Sequence, residues 1–220
     1  MNILKFLPRL AGALGLAVVL AGCGVNAIPT KDQAVKAAWG DVQAAYQRRA
    51  DLIPNLANTV AGFAAQEKSV LTAVTQARAS ATQPKFDAST ITDPQKFAQF
   101  QAAQDKLSGV LGRLMMITEN YPELRSNQNF LALQSQLEGT ENRIEIARRD
   151  YNVAVQDYNT ELVTIPGSLW ASTFYKQYKQ AVPFAAAAGA QTAPVVNFNT
   201  STAPAPSPAA AQPGPQPTKP

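Results

Sequence analysis

Arg48-Arg49-Ala50-Asp51-Leu52-Ile53-Pro54-Asn55-Leu56 decides how this chain folds. It sets two adjacent cations, a carboxylate and a proline inside what is otherwise a long helical pattern. On either side of it, apolar side chains recur at Val35, Trp39, Val42 and Tyr46, then Ile53, Leu56, Val60 and Phe63, then Val70, Val74 and Ala77. That four-three alternation is a helix seam, and it crosses the proline without changing phase. The spacing predicts one first helix, about 65 Å long at 1.5 Å per residue if unbroken. Pro54 removes a backbone donor and crowds the carbonyl of Ala50. A kink within a turn of Asp51 is therefore expected rather than a loop, and the Ala50 carbonyl needs a donor from elsewhere. Arg49 and Glu67 are charged residues on the seam. Each must meet another helix or reach water by snorkelling; for Arg49 the expected partner is a carboxylate of the third helix.

Thr30 and Gln33 fit a capping box at the start of the first helix. The pattern gives out over residues 79–83, and Pro84 to Thr92 reads as a loop. Asp93-Pro94 then supplies an N-cap and a proline at the first helical position. A second seam follows through Phe97, Phe100, Gln104, Leu107, Leu111, Leu114, Thr118 and Tyr121. Gly109 and Gly112 suit a close helix approach, at up to about 1 kcal/mol each relative to alanine. Tyr121-Pro122 ends this helix, and Ser126 is the expected cap of the next. The third seam runs Phe130, Leu133, Leu137, Thr140, Ile144, Ala147, Tyr151, Ala154 and Tyr158. Glu145 and Arg149 make a favourable i,i+4 pair. Tyr-Asn recurs one heptad apart, as Tyr151-Asn152 and Tyr158-Asn159.

Ile165-Pro166-Gly167 stops the third helix, and Ser168 is placed to cap a short last one. Trp170, Phe174 and Tyr178 share a face there, read as core; exposed, such rings would suit a membrane interface. Sustained period-two alternation is absent. The expected fold is all-α: an elongated antiparallel up-down bundle of three long helices plus a short C-terminal one, over residues 30–182.

The ends differ from this middle. Met1 to Gly22 reads as an export signal, with Lys5 and Arg9 ahead of the apolar run Leu10 to Leu20. That run is shorter than the roughly 20 residues of a transmembrane helix. Leu20-Ala21-Gly22-Cys23 reads as a lipobox, so residues 1–22 are expected to be cleaved and Cys23 acylated, with 23–29 a lipidated spacer. Several acyl chains bury enough CH₂ groups for stable anchoring. Gly24 stands where an aspartate would favour inner-membrane retention, so the outer membrane of a diderm envelope, facing the periplasm, is the expected address. Residues 183–220 are dominated by Ala, Pro, Thr and Gln and read as a disordered tail, a leftover or a stiff spacer.

Composition narrows the chemistry. The sequence has no histidine and a single cysteine, which leaves metal sites and thiol or triad catalysis without their usual groups. Without Lys5 and Arg9, 17 cations face 15 anions, a balance that does not call for nucleic acid. No cofactor is expected.

Arg48, Arg49, Asp51, Asn55, Glu138, Glu141, Arg148 and Asn152 are the candidate site residues, expected to meet in one polar layer across a helix interface. The structural reading is a layer that fixes register. The alternative is a recognition surface for a ligand or polymer, and least of all a paired-carboxylate catalytic site, which would need Glu138 and Glu141 in a cleft.

These motifs resemble the LemA family. The residues that carry the likeness are Arg48 to Leu56, Glu119-Asn120-Tyr121-Pro122-Glu123-Leu124, Asn129-Phe130-Leu131, Leu133-Gln134, Glu138 to Ile144, Ala147 to Asn152, Tyr158-Asn159 and Pro166. The resemblance spans about Val35 to Tyr178. It implies an all-α bundle tethered to a membrane at its N-terminus, with no established enzymatic activity and roles in envelope organisation, stress response or scaffolding. The family usually resembles a protein held by a transmembrane helix; here a lipobox cysteine stands in that place, which sets aside roles needing a membrane-spanning or cytoplasmic portion. The expectation is a non-enzymatic, lipid-anchored envelope protein. Its partners would be the bilayer through Cys23 and an envelope protein or polymer, with a homo-oligomer left open.

Overall fold

The computed structural model describes residues 24–82 and 87–185. The expected signal segment, Cys23, the start of the loop at Pro84 and the tail beyond residue 185 lie outside the described residues. Within them the chain is all-helical. The elements are α1 (Ala27–Phe63), α2 (Lys68–Ala81), a 3-10 turn (Ala88–Thr92), α3 (Pro94–Thr118), the single turn α4 (Pro122–Arg125), α5 (Gln128–Val163) and α6 (Gly167–Thr173).

The seams are largely where the sequence puts them, except that Phe63, expected on the first, is 39% exposed at the end of α1. Val35, Trp39, Val42, Tyr46, Arg49, Ile53, Leu56 and Val60 are buried on α1, as is every α3 seam residue from Phe97 to Thr118. On α5 the inward line runs from Phe130 to Tyr151 with Leu133 only half-buried, and then Val155 replaces Ala154. Ion pairs between Lys31 and Glu161 and between Arg49 and Glu141 show that α1 and α5 run in opposite directions. Phe100 packs on Trp39 and Gln104 bonds Arg49, so α3 follows the direction of α1.

The first long helix does not continue to Ala77. It ends at Phe63, Ala64 leaves helical geometry at φ −127° and ψ 50°, and α2 folds back along α1. α5 begins only opposite Asn55 and Thr59, which share a surface groove with Asn129 and Leu133. A straight extension past Phe63 would carry Val70, Val74 and Ala77 beyond that cover. Folded back, Val74 and Ala77 are 0% exposed. Burial at about 25 cal/mol per Å² outweighs the few tenths of a kcal/mol of helix propensity lost at each turn residue. Glu67 therefore lies at a turn rather than on a seam. Its N–H donates to the Ala64 carbonyl at 3.0 Å, and its carboxylate accepts from the Tyr121 phenol at 3.1 Å.

Helix starts depart from the sequence pattern more than the seams do. Asp93 caps α3 as expected, its carboxylate accepting from the Gln95 and Lys96 N–H groups at 2.9 and 3.2 Å. Asn127, not Ser126, caps α5, accepting from Asn129 and Phe130 at 3.0 and 3.1 Å. α1 begins at Ala27, so Thr30 lies inside the helix and caps nothing. α6 begins at Gly167, where any Cβ would collide with the Glu161 carbonyl. Arg149 pairs with Asp150 rather than with Glu145.

The packed unit closes at Phe184, beyond the boundary expected at residue 182. Residues 179–184 form a strap without regular secondary structure. Val182 N–H donates to the Ile91 carbonyl of the 3-10 turn at 2.8 Å, and Phe184 enters an aromatic cluster with Trp39, Phe97, Phe100 and Tyr151. Of the last aromatics, Trp170 and Tyr178 pack partly against this cluster. Phe174 does not: it is 71% exposed, against the core reading.

Gly109 and Gly112 also face away from any helix. Both are exposed, and a Cβ on either would meet nothing within 4 Å. Gly109→Ala and Gly112→Ala should each raise unfolding free energy by about 0.5–1 kcal/mol; a loss of stability in urea melts would restore the close-approach reading.

Candidate functional site

The expected single polar layer divides into three places. The first is internal and belongs to Arg49, which is 1% exposed. Its Nη1 donates to Ser108 Oγ at 2.8 Å and to Glu141 Oε1 at 2.9 Å. Its Nη2 donates to Gln104 Oε1 at 2.8 Å, and the guanidinium stands 5.1 Å from the centre of the Tyr46 ring. Gln104 in turn donates from Nε2 to the Ala81 carbonyl at 3.0 Å. One cation thus ties α1 to α3 and α5 directly and to the end of α2 through Gln104. Arg49 meets a carboxylate of the third long seam, as the sequence led one to expect.

The Ala50 carbonyl, opened by Pro54, also finds its donor: Arg78 Nε of α2, at 2.9 Å. α1 runs through Pro54 as one element.

The second place is the strap clamp. Tyr151 Oη donates to the Val182 carbonyl at 2.8 Å and Tyr158 Oη to the Lys179 carbonyl at 2.9 Å. Asn152 grips Phe184 on both sides, donating to its carbonyl at 3.2 Å and accepting its N–H at 2.8 Å. Asn159 treats Ala181 the same way, at 2.8 and 2.9 Å. An asparagine amide supplies one acceptor and one donor face, the pattern an extended strand edge would offer. The Arg148 guanidinium lies 4.5 Å from the centre of the Phe184 ring. Burial pushes the Tyr151 and Tyr158 phenols well above the ordinary tyrosine value.

The third place is the surface. Arg48 and Asp51 point outward, with Gln47 Nε2 donating to the Asp51 carboxylate at 2.7 Å. With Asp41, Arg143, Ile146 and Asp150 they line an open groove of about 800 Å³ between α1 and α5. Asn55 is exposed in the neighbouring α1–α5 groove. Glu138 is exposed and accepts from Gln134 at 3.2 Å. Glu141 is half-exposed and committed to Arg49, so the two glutamates do not share a cleft. Among the described residues no group of three or more Asp, Glu, His or Cys could hold a metal ion, and no helix is long and apolar enough to cross a membrane.

Reading the sequence missed Gln104, Ser108, Arg78 and the strap. Gln104 had a signal, being polar on a seam at the level of Arg49. The Tyr-Asn repeat was another; its partners Lys179, Ala181 and Val182 lie at the end of the expected domain, and Phe184 just inside the expected tail.

This arrangement defines an all-helical packed unit whose helices meet around one buried arginine. Residues 38–198 match the LemA family, more than two thirds of the chain, and the chain belongs to that family. The match continues past the expected end at Tyr178 and includes the strap. Two magnetosome proteins of Paramagnetospirillum magneticum, MamQ 1 and MamQ 2, are each 32% identical over 94 residues, 43% of this chain. The chain matches only about a third (34%) of the length of either relative.

Arg49→Ala should cost about 2–5 kcal/mol, because it leaves a cavity and strands the buried Gln104. Glu141→Ala should cost about 1 kcal/mol or less, since its side chain is 48% exposed. Equal losses in denaturant melts would mean that the ion pair, not the packing, carries the layer.

The raised phenols give a second expectation. A phenol whose folded value is raised contributes stability that is complete below the unfolded value of about 10 and is lost as pH climbs towards the folded value. Melting temperature should therefore fall above about pH 10, less steeply in Tyr151→Phe/Tyr158→Phe. Identical slopes would detach the strap from that titration.

Proposed function

We propose that this LemA-family chain is a non-enzymatic envelope protein, anchored through acylated Cys23 and facing the periplasm, that works by binding other envelope components. A scaffolding or stress-related role is the form this takes. The arrangement that suits it is an elongated antiparallel up-down bundle, a long rod with its anchor at one end. The observation that carries the reading is the division of the Arg48-Arg49 pair. Arg49 spends its Nη donors inside the protein, whereas Arg48 and Asp51 open onto the α1–α5 groove. A cleft with convergent acid and base groups is the mark of catalysis; a shallow groove of mixed charge suits a protein or polymer surface.

The groove also gives the ligand-binding alternative its place. It would bind through Arg48, Asp51, Arg143 and Asp150 rather than through the internal layer. The lipobox and the Gly24 that follows it favour the outer membrane in a diderm host.

Two measurements test this reading. The wild-type chain should partition with membranes and carry acyl groups on Cys23 by mass spectrometry, and Cys23→Ser should be released. Crosslinking from membranes should then lose partners in Arg48→Glu/Asp51→Lys while the melting temperature holds. An unacylated Cys23 would sink the anchor; unchanged partners would sink the groove.

A further inference from the structure

Four large apolar side chains near the C-terminal end of the packed unit are left in water. Val163 is 62% exposed, Ile165 81%, Leu169 59% and Phe174 71%. They fall within twelve residues of one another, on the end of α5, the link, α6 and the residue just after it. The other exposed large apolar residues, Phe63, Met116, Leu131, Ile146 and Val153, are spread over α1, α3 and α5. A clustered apolar patch marks an interaction surface where scattered residues do not.

Along the chain the charge of this segment is as uneven as its hydrophobicity, once past Glu161, which is paired with Lys31. Residues 162–175 contain no charged side chain, and residues 162–185 contain no Asp or Glu. Lys176 and Lys179 follow, both exposed. Apolar and aromatic groups bordered by lysines suit a bilayer interface, where rings sit at headgroup level and ammonium groups reach phosphate.

The N-terminus comes to the same end. Gly24 packs on the link: a Cβ there would lie 3.0 Å from Pro166 Cγ and 3.6 Å from Trp170 Nε1. Residues 25–29 are not the spacer that the sequence suggests, because a turn over Gly24–Asn26 leads directly into α1 at Ala27. Consecutive Cα atoms are about 3.8 Å apart. A lipid on Cys23 is therefore attached one residue from Gly24, which packs on Pro166 beside Ile165 and on Trp170 beside Leu169, with little length of chain to hold this end off the membrane.

We infer that the rim formed by Val163, Ile165, Leu169 and Phe174 is a lipid-docking surface, which seats this end of the bundle on the bilayer that carries the anchor. The inference rests on the anchoring proposed above. It adds an orientation: the protein touches the membrane through this rim, and the α1–α5 groove stands clear of the lipid along the side of the bundle.

The test imposes the tether, so that it does not depend on acylation in cells. The full, unacylated chain is coupled through Cys23, its only cysteine, to maleimide-headgroup lipid. The vesicles are phosphatidylcholine and phosphatidylglycerol, with or without brominated acyl chains. Brominated chains should quench part of the tryptophan emission. That loss should vanish in Trp170→Phe and shrink strongly in Leu169→Glu/Phe174→Glu, two exposed positions where folding is kept. Trp39, buried in the aromatic cluster, supplies an unquenched internal reference. Emission equal in brominated and plain vesicles would overturn the inference. So would a dimer in sedimentation that Phe174→Glu dissociates, since the rim would then belong to a second copy. A Cys23 found unacylated in cells would sink the anchor while leaving this result standing.

Discussion

A guanidinium cannot be buried cheaply. Its transfer out of water costs several kcal/mol unless its donors are met, and Arg49 has both Nη groups met by partners on two other helices. That requirement sets the register of the bundle. The apolar residues fall into two clusters on either side of it: Ile28 to Tyr46 with Phe97, Phe100 and Tyr151 on one side, and Ile53 to Val60 with Leu107, Leu111 and Leu137 on the other. The seams alone specify a one-turn slip less sharply, since apolar side chains would still face apolar ones. The polar layer would not tolerate one, because a shift of about 5.4 Å strands Arg49 and Gln104 together. Hydrophobic area holds the helices together, and the arginine says which turn faces which.

Pro54 works through the same logic. Its ring leaves the Ala50 carbonyl without an intrahelical donor, one position from Arg49. The donor that arrives is Arg78, on a helix that can deliver it only by doubling back. The defect in α1 is thus made good by the hairpin with α2. The turn at residues 64–67 contains neither glycine nor proline, so local propensity alone would have carried the helix on. At the other end, the Tyr-Asn pairs treat residues 179–184 as a strand, satisfying backbone groups that an irregular segment cannot satisfy itself. The Trp39 cluster is completed by Phe184, so this core needs the strap in place.

What could be read from the sequence follows from range. Seam periodicity is local, and it placed nearly every buried residue on α1, α3 and α5. The Asp93 cap and the open Ala50 carbonyl were legible for the same reason: each is a statement about neighbours in the chain. The α1–α2 reversal was not, because it depends on where α5 begins, some 60 residues later. The strap was hidden by composition. Residues 181–184, Ala-Val-Pro-Phe, resemble the tail that follows, and only the side chains of Tyr151, Asn152, Tyr158 and Asn159 distinguish them. The polar site failed as a single layer because the eight candidates were grouped by chemistry, whereas successive residues on a helix point about 100° apart.

That angle is also the key to the signature itself. Arg48 and Arg49 are adjacent, so one turns inward when the other turns out. The inward half, Arg49, Ile53 and Leu56, is fully used by the fold. The outward half, Arg48, Asp51 and Asn55, lies at i, i+3 and i+7, which is one face of a helix. That face opens onto the two grooves between α1 and α5. Packing asks nothing of these three side chains, and among the described contacts Asp51 is held only by a neighbour on its own helix. The same nine residues therefore carry two separable instructions, one for how the helices meet and one for what can lie along them. A variant that changes only the outward three leaves the first intact, and this is why the function of the bundle can be probed without unfolding it.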